Sequence, residues 1–199
     1  MKEFLSDKKL NIKTTGDQKG FLKSVHHNRY EPTPYSSLDL LFIEYRMNSR
    51  DHIVDFGCGK GRLNFYINYV FDASVVGIEA NEALFYEALE NKDRYLQNFK
   101  NRADKIDFQF CLAEDYQISP SDNCFYFFNP FSVQLFMNVI NNIIISAENY
   151  EREVDLILYY PSEDYIYYLE TQTSFELEKE IKLPDNNPNE RFLIYRMPY

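Results

Sequence analysis

Residues 53–61 read IVDFGCGKG, and no other stretch limits the fold of this chain as much. Ile53, Val54 and Phe56 run directly into glycines at 57, 59 and 61. The pattern predicts a buried strand that breaks into a tight turn, and the following RLNFYINYVF has the apolar spacing of a helix. Glycine at such a turn lets a ligand approach the backbone closely. The unit is a strand end shaped to hold a small molecule, and the spacing of its residues narrows which one.

A nucleotide P-loop needs G-x-x-x-x-G-K-[ST], which these residues do not provide. The dinucleotide fingerprint G-x-G-x-x-G places its third glycine one position beyond Gly61, where Arg62 stands, so that reading is demoted though not excluded. What remains is Asp55, Gly57, Gly59 and Gly61 in a D-x-G-x-G-x-G spacing. It resembles the first motif of the class I S-adenosylmethionine-dependent methyltransferases.

The rest of the chain alternates. Two prolines at 32 and 34 precede a helical pattern over 35–47. After the glycine loop and its helix, ASVVGIEA reads as a strand ending at Glu79, and Asn81 caps a long helix to about Lys100. KIDFQFCLA and NCFYFFNP read as strands, SVQLFMNVINNIIISAENY as an amphipathic helix started by Ser132, and EVDLILYYP as a further strand. Strand and helix in turn predict a doubly wound α/β domain. SFELEKEIKL and ERFLIYRMPY break the rhythm as two alternating strands joined by turn residues, an expected antiparallel hairpin. The resemblance implies a mostly parallel seven-stranded sheet closed by that hairpin. One domain is expected over 34–199, with 1–33 as an N-terminal segment lying over the cofactor as a lid.

Composition removes several function classes. Lys and Arg number 21 against 31 Asp and Glu, a net charge of -10 that repels a phosphate backbone and disfavours nucleic acid as a partner. Cys58, Cys111 and Cys124 form no C-x-x-C pair and suggest reduced thiols. The charged N-terminus lacks a signal-peptide core and no window approaches the ~20 apolar residues of a membrane span, so a cytoplasmic protein without membrane contact is expected. His26 and His27 have no partners at ligand spacing, and no metal is expected. Oligomeric state is not legible.

The resemblance implies S-adenosylmethionine as cofactor and a set of residues to hold it: Asp55, Gly57, Cys58 and Gly59 in the loop, and Glu79 with Ala80 at the end of the second strand. A carboxylate offers two oxygens, suited to two vicinal ribose hydroxyls. After the third strand, CLAEDYQI is similar to the family's adenine-binding stretch, with Leu112 where an acid is usual, Ala113 offering its amide, and Glu114 or Asp115 nearby. FFNPF after the fourth strand resembles the [DN]-P-P-[YFW] motif of methyltransferases acting on planar nitrogens, though with one proline. It implies Asn129, Pro130 and Phe131 as catalytic residues, Asn129 also lining the cofactor, and Phe131 stacking on a flat acceptor. In HHNRYEPTPY, Arg29 is a candidate for the cofactor carboxylate and Tyr30 or Tyr35 for closing the pocket; in YYPSEDYIYYLE the tyrosines suit either substrate contact or core packing. The expected acceptor is a nitrogen of a small molecule or a protein. A cofactor-binding module without turnover and a nicotinamide-dependent oxidoreductase stay open as alternatives.

Overall fold

A computed structural model describes residues 2–16, 30–184 and 187–198. Seven strands form one sheet: β1 (His52–Phe56), β2 (Ser74–Glu79), β3 (Ile106–Phe110), β4 (Cys124–Phe127), β5 (Val154–Tyr159), β6 (Glu176–Lys182) and β7 (Arg191–Met197). Their order is β3-β2-β1-β4-β5-β7-β6. The first five are parallel, and β7 inserts antiparallel between β5 and β6. Chain order reverses between β1 and β4, so the carboxyl ends of β1, β2 and β4 surround the crevice where such sheets bind ligands.

The central strands are buried on both faces, which explains their near-continuous apolar runs. β5 is buried throughout and β4 is CFYF without an exposed residue. One face is covered by α1 (Lys2–Leu10), α2 (Tyr35–Glu44), α3 (Arg62–Phe71) and α4 (Glu82–Asn98); the other by α5 (Val133–Asn149) and α6 (Glu163–Gln172). Each face has its own core, the first gathering Leu38, Phe65 and Tyr95, the second Phe136, Ile140 and Tyr165.

Helix starts follow the expected chemistry in part. Asn81 caps α4 by accepting from the Leu84 amide. Ser132 stands at the cap position of α5, but its hydroxyl makes no cap bond and is buried without a partner. Two helices lie outside the sequence expectation. α6 resolves the tyrosine-rich stretch: Ser162 caps it, and Tyr165 stacks on Phe136 at 3.7 Å between ring centres, with Tyr168 also buried. These two are core residues, and Tyr167 alone of that group is well exposed. α1 has little apolar periodicity, and the chain is tied down at its end and just beyond, where Leu10 and Ile12 enter the same core as α2 and α3. His26, His27 and Arg29, with the rest of 17–29 in the expected lid, lie outside the described residues.

No helix among the described residues is long and apolar enough to cross a membrane. Cys58 and Cys124 are buried and Cys111 partly so, all three free thiols.

Candidate functional site

β1 delivers the chain into the loop 57–61, where Gly57 and Gly59 adopt φ of 79° and 55°, a left-handed backbone that side chains disfavour. Space is as restrictive as backbone. A Cβ on Gly57 would come within 2.9 Å of the Pro130 side chain, and one on Gly59 would overlap the Tyr30 ring. The amides of Gly57 and Cys58 both donate to the Ile78 carbonyl, which fastens the loop to the end of β2.

Glu79 closes that end of β2. It is 8% exposed, its Oε2 accepts from the Gly59 amide at 2.8 Å and its Oε1 from the Asn81 amide at 2.7 Å. One side chain therefore bridges the glycine loop and the start of α4. Asp55, 4% exposed, lies one residue before the turn. Burial pushes the Asp55 carboxyl well above the ordinary range and the Glu79 charge adds to it; burial also raises Glu79, against the pull of the backbone amides of Asn81, Gly59 and Ala80. Two buried carboxyls at the ends of the adjacent strands β1 and β2 suit a group that is cationic or rich in hydroxyl donors.

After β3 the chain forms a single tight turn at Ala113–Asp115. Ala113 is buried and Leu112 is 44% exposed beside it. The Glu114 carbonyl is held by Asn142 of α5 at 3.0 Å, and its carboxylate Oε2 is buried without a hydrogen-bond partner. Near the same corner the rings of Phe85 and Phe110 are 5.5 Å apart, and that of Phe110 is largely exposed.

The exit of β4 turns on Asn129, whose φ of 40° is unusual for a residue other than glycine but within the habit of asparagine. The bend carries Pro130 against Gly57 and so joins this exit to the glycine loop. Phe131 departs from the expectation of a stacking surface. It is 7% exposed, its ring packs edge-on to Phe127, and its backbone is held at both ends by the Tyr165 hydroxyl, which donates to the carbonyl at 2.6 Å and accepts from the amide at 3.3 Å. An aromatic residue one position past a proline turn meets the hydrophobic face of α5 and α6, and burial takes it. Phe128, half-buried against Tyr159 at 4.5 Å between ring centres, is the flatter surface left at this exit.

Above the loop runs the short strap 30–34. The Tyr30 ring lies on Gly59 with the Lys60 ammonium 5.2 Å from its centre, and its hydroxyl donates to the Thr14 carbonyl at 2.7 Å. Thr33 shares a 2.7 Å hydrogen bond with Tyr126, whose β4 position is in register with Asp55. Tyr35 is buried and its hydroxyl donates to Asp7, so of the two tyrosines considered for closing a pocket only Tyr30 stands on the loop. Arg62, Asp7, Thr14 and Thr33 were not among the residues singled out by motif. The available signal was Arg62 itself, a cation in the first turn of a helix, where the dipole disfavours it.

The described residues contain no cluster of His, Cys, Asp and Glu that could hold a metal.

Residues 35–124 match a family model described as a methyltransferase domain, a span that includes the glycine loop and Glu79 and ends before Asn129. No curated protein matches the chain in sequence. Similar solved structures include an RNA methyltransferase from Salinibacter ruber in complex with S-adenosyl-L-homocysteine, 17% identical with a TM-score of 0.59, covering 84% of this chain and 94% of that one. A proposed RNA methyltransferase from Pyrococcus horikoshii is 17% identical with a TM-score of 0.59 over 98% of this chain and 97% of its own. A geranyl diphosphate C-methyltransferase from Streptomyces coelicolor A3(2), crystallised with Mg2+, geranyl diphosphate and S-adenosyl-L-homocysteine, is 11% identical with a TM-score of 0.55 over 82% and 78%. At these identities the likeness is one of fold.

Proposed function

We propose that the chain is a class I S-adenosylmethionine-dependent methyltransferase, a reading supported by its fold and by the methyltransferase-domain match over 35–124, and that it transfers a methyl group from that cofactor to a nitrogen of a small molecule or a protein. The observation that carries the reading is the joint between the two loops: Pro130 of the N-P-F turn rests on Gly57, so the acceptor exit and the cofactor loop share one surface. The residues present fit the cofactor. The loop leaves no room for side chains at Gly57 and Gly59, and the buried pair Asp55 and Glu79 suits the ammonium and the ribose hydroxyls of one molecule.

Bound there, the cofactor supplies an electrophilic methyl group on a sulfonium. Glu79 would accept from the ribose hydroxyls, Asp55 would balance the ammonium, and the Ala113 amide with the Leu112 side chain would border the adenine. Cys58 and Ala80 line the same cleft through their backbone. Asn129 orients the acceptor through an amide that can both donate and accept, and Pro130 fixes the distance between the loops. Phe131 acts from the core by holding the turn. The rate then comes from alignment and from exclusion of water, which need no dedicated base when the nitrogen sheds its proton after attack.

The acceptor is not read from the neighbours, whose descriptions span RNA and geranyl diphosphate. The net charge of -10 weighs against a polyanion, and the turn chemistry favours a planar nitrogen. Incubation of cell extract with methyl-labelled cofactor and the purified protein tests the reading. A labelled product that requires the protein supports it; label confined to RNA would replace the proposed acceptor class, and cofactor binding without any labelled product would leave a binding module.

A further inference from the structure

Arg62 is 4% exposed in the first turn of α3, where a cation opposes the helix dipole and no acidic residue of that turn offsets it. Its surroundings explain its presence. Nε donates to Thr14 Oγ1 at 2.7 Å and Nη1 to the Thr33 carbonyl at 3.2 Å, and the guanidinium lies 4.6 Å from the centre of the Tyr35 ring. Asp7 is 4.0 Å away, also buried, and accepts from the Thr14 amide, the Thr14 hydroxyl and the Tyr35 hydroxyl, each at 2.7 Å. One planar fork thus gathers the segment after α1, the strap and the start of α2 onto the residue next to the glycine loop.

Both elements that Arg62 holds reach the cofactor loop. The Thr14 carbonyl accepts the hydroxyl of Tyr30, whose ring covers Gly59. Thr33 bonds Tyr126, the neighbour of Asp55 across the sheet. We propose that Arg62 is a positioning residue for the cofactor site: it seats the strap so that Tyr30 forms a wall over Gly59, and it sets cofactor affinity without touching the cofactor. This rests on the cofactor site proposed above. A lysine cannot replace it, since a single ammonium keeps the attraction to Asp7 but not the fork that engages Thr14 and Thr33 together.

The test compares three single variants and one double variant with the parent, using S-adenosylhomocysteine as the titrant in calorimetry and hydrogen exchange of the Tyr30, Glu31 and Thr33 amides of the strap in the free protein. Arg62→Lys is expected to speed exchange across 30–34 and to weaken binding about fivefold or more. Tyr30→Ala is expected to weaken binding similarly, with little further loss in the double variant. Tyr95→Phe removes a buried hydrogen bond from Tyr95 to Asn68 of the same helix α3, and should lower thermal stability while leaving binding at the parent value. Arg62→Lys with parental affinity, or Tyr95→Phe with an equal loss of affinity, would overturn the assignment by reducing Arg62 to ordinary stability. If the parent itself gives no binding heat, the cofactor site fails and this role fails with it; faster exchange at 30–34 in Arg62→Lys would then report a purely structural clamp.

Discussion

Glu79 accepts from the amides of Gly59 and Asn81, both backbone groups at the strand end it closes. Replacing it by alanine would remove the acceptor proposed for the ribose, a loss of about 1.5–3 kcal/mol, so affinity for S-adenosylhomocysteine should fall at least about tenfold by calorimetry. Affinity equal to the parent would remove Glu79 from the site. The same residue and Asp55 make binding depend on protons. Burial holds both carboxyls above the usual range, so each is more readily protonated in the folded chain than in the unfolded one. A raised acid destabilises the fold as pH rises from the ordinary value, about 4, through the raised one, because the unfolded chain gives up its proton first. The free protein should therefore gain thermal stability from these two groups on acidification within that window. A cationic ligand favours the ionised forms, so cofactor binding should release protons there and tighten as pH rises. Calorimetry in two buffers of different ionisation heat measures this directly, and a proton count of zero throughout would contradict the account of the pair.

At the level of elements, the turn after β4 combines two functions that a single substitution can separate. Asn129 has φ of 40°, so part of its fitness is backbone, and glycine meets that need without the amide. Asn129→Gly should keep the fold and the affinity for S-adenosylhomocysteine while lowering turnover of the acceptor by roughly 10²-fold, the signature of a contact made in the transition state. Parental turnover in Asn129→Gly would make N-P-F a structural bend. The same turn shows how far local sequence reaches. Gly57, Gly59, Glu79 and Asn81 were legible because tight turns, strand ends and caps are decided within a few residues of chain. Phe131 was not, since its burial is decided by Phe127, α5 and the Tyr165 hydroxyl, the last of these 34 residues away. α6 was hidden for a related reason: its buried face is built from tyrosines, which suit a substrate pocket as well as a core until Phe136 is seen to stack on one of them.

For the whole molecule, the alternation of apolar runs and amphipathic stretches was enough to read a parallel sheet with an antiparallel closing hairpin, and the order β3-β2-β1-β4-β5-β7-β6 follows it. The position of α1 and the segment after it could not be read, because the contacts that fix them to the rest of the chain, Asp7 with Arg62 and Lys13 with Asn91, join residues far apart in sequence. That N-terminal region lies on the same face as α3 and α4, and its Thr14 carbonyl holds the Tyr30 hydroxyl while the Tyr30 ring lies on Gly59, beside the switch between β1 and β4. As proposed, the crevice at that switch takes S-adenosylmethionine and not a dinucleotide. Parallel calorimetric titrations of the purified protein with S-adenosylmethionine and with NADH decide it. One site for S-adenosylmethionine and no heat with NADH are expected; saturable binding of NADH with none for S-adenosylmethionine would overturn this assignment.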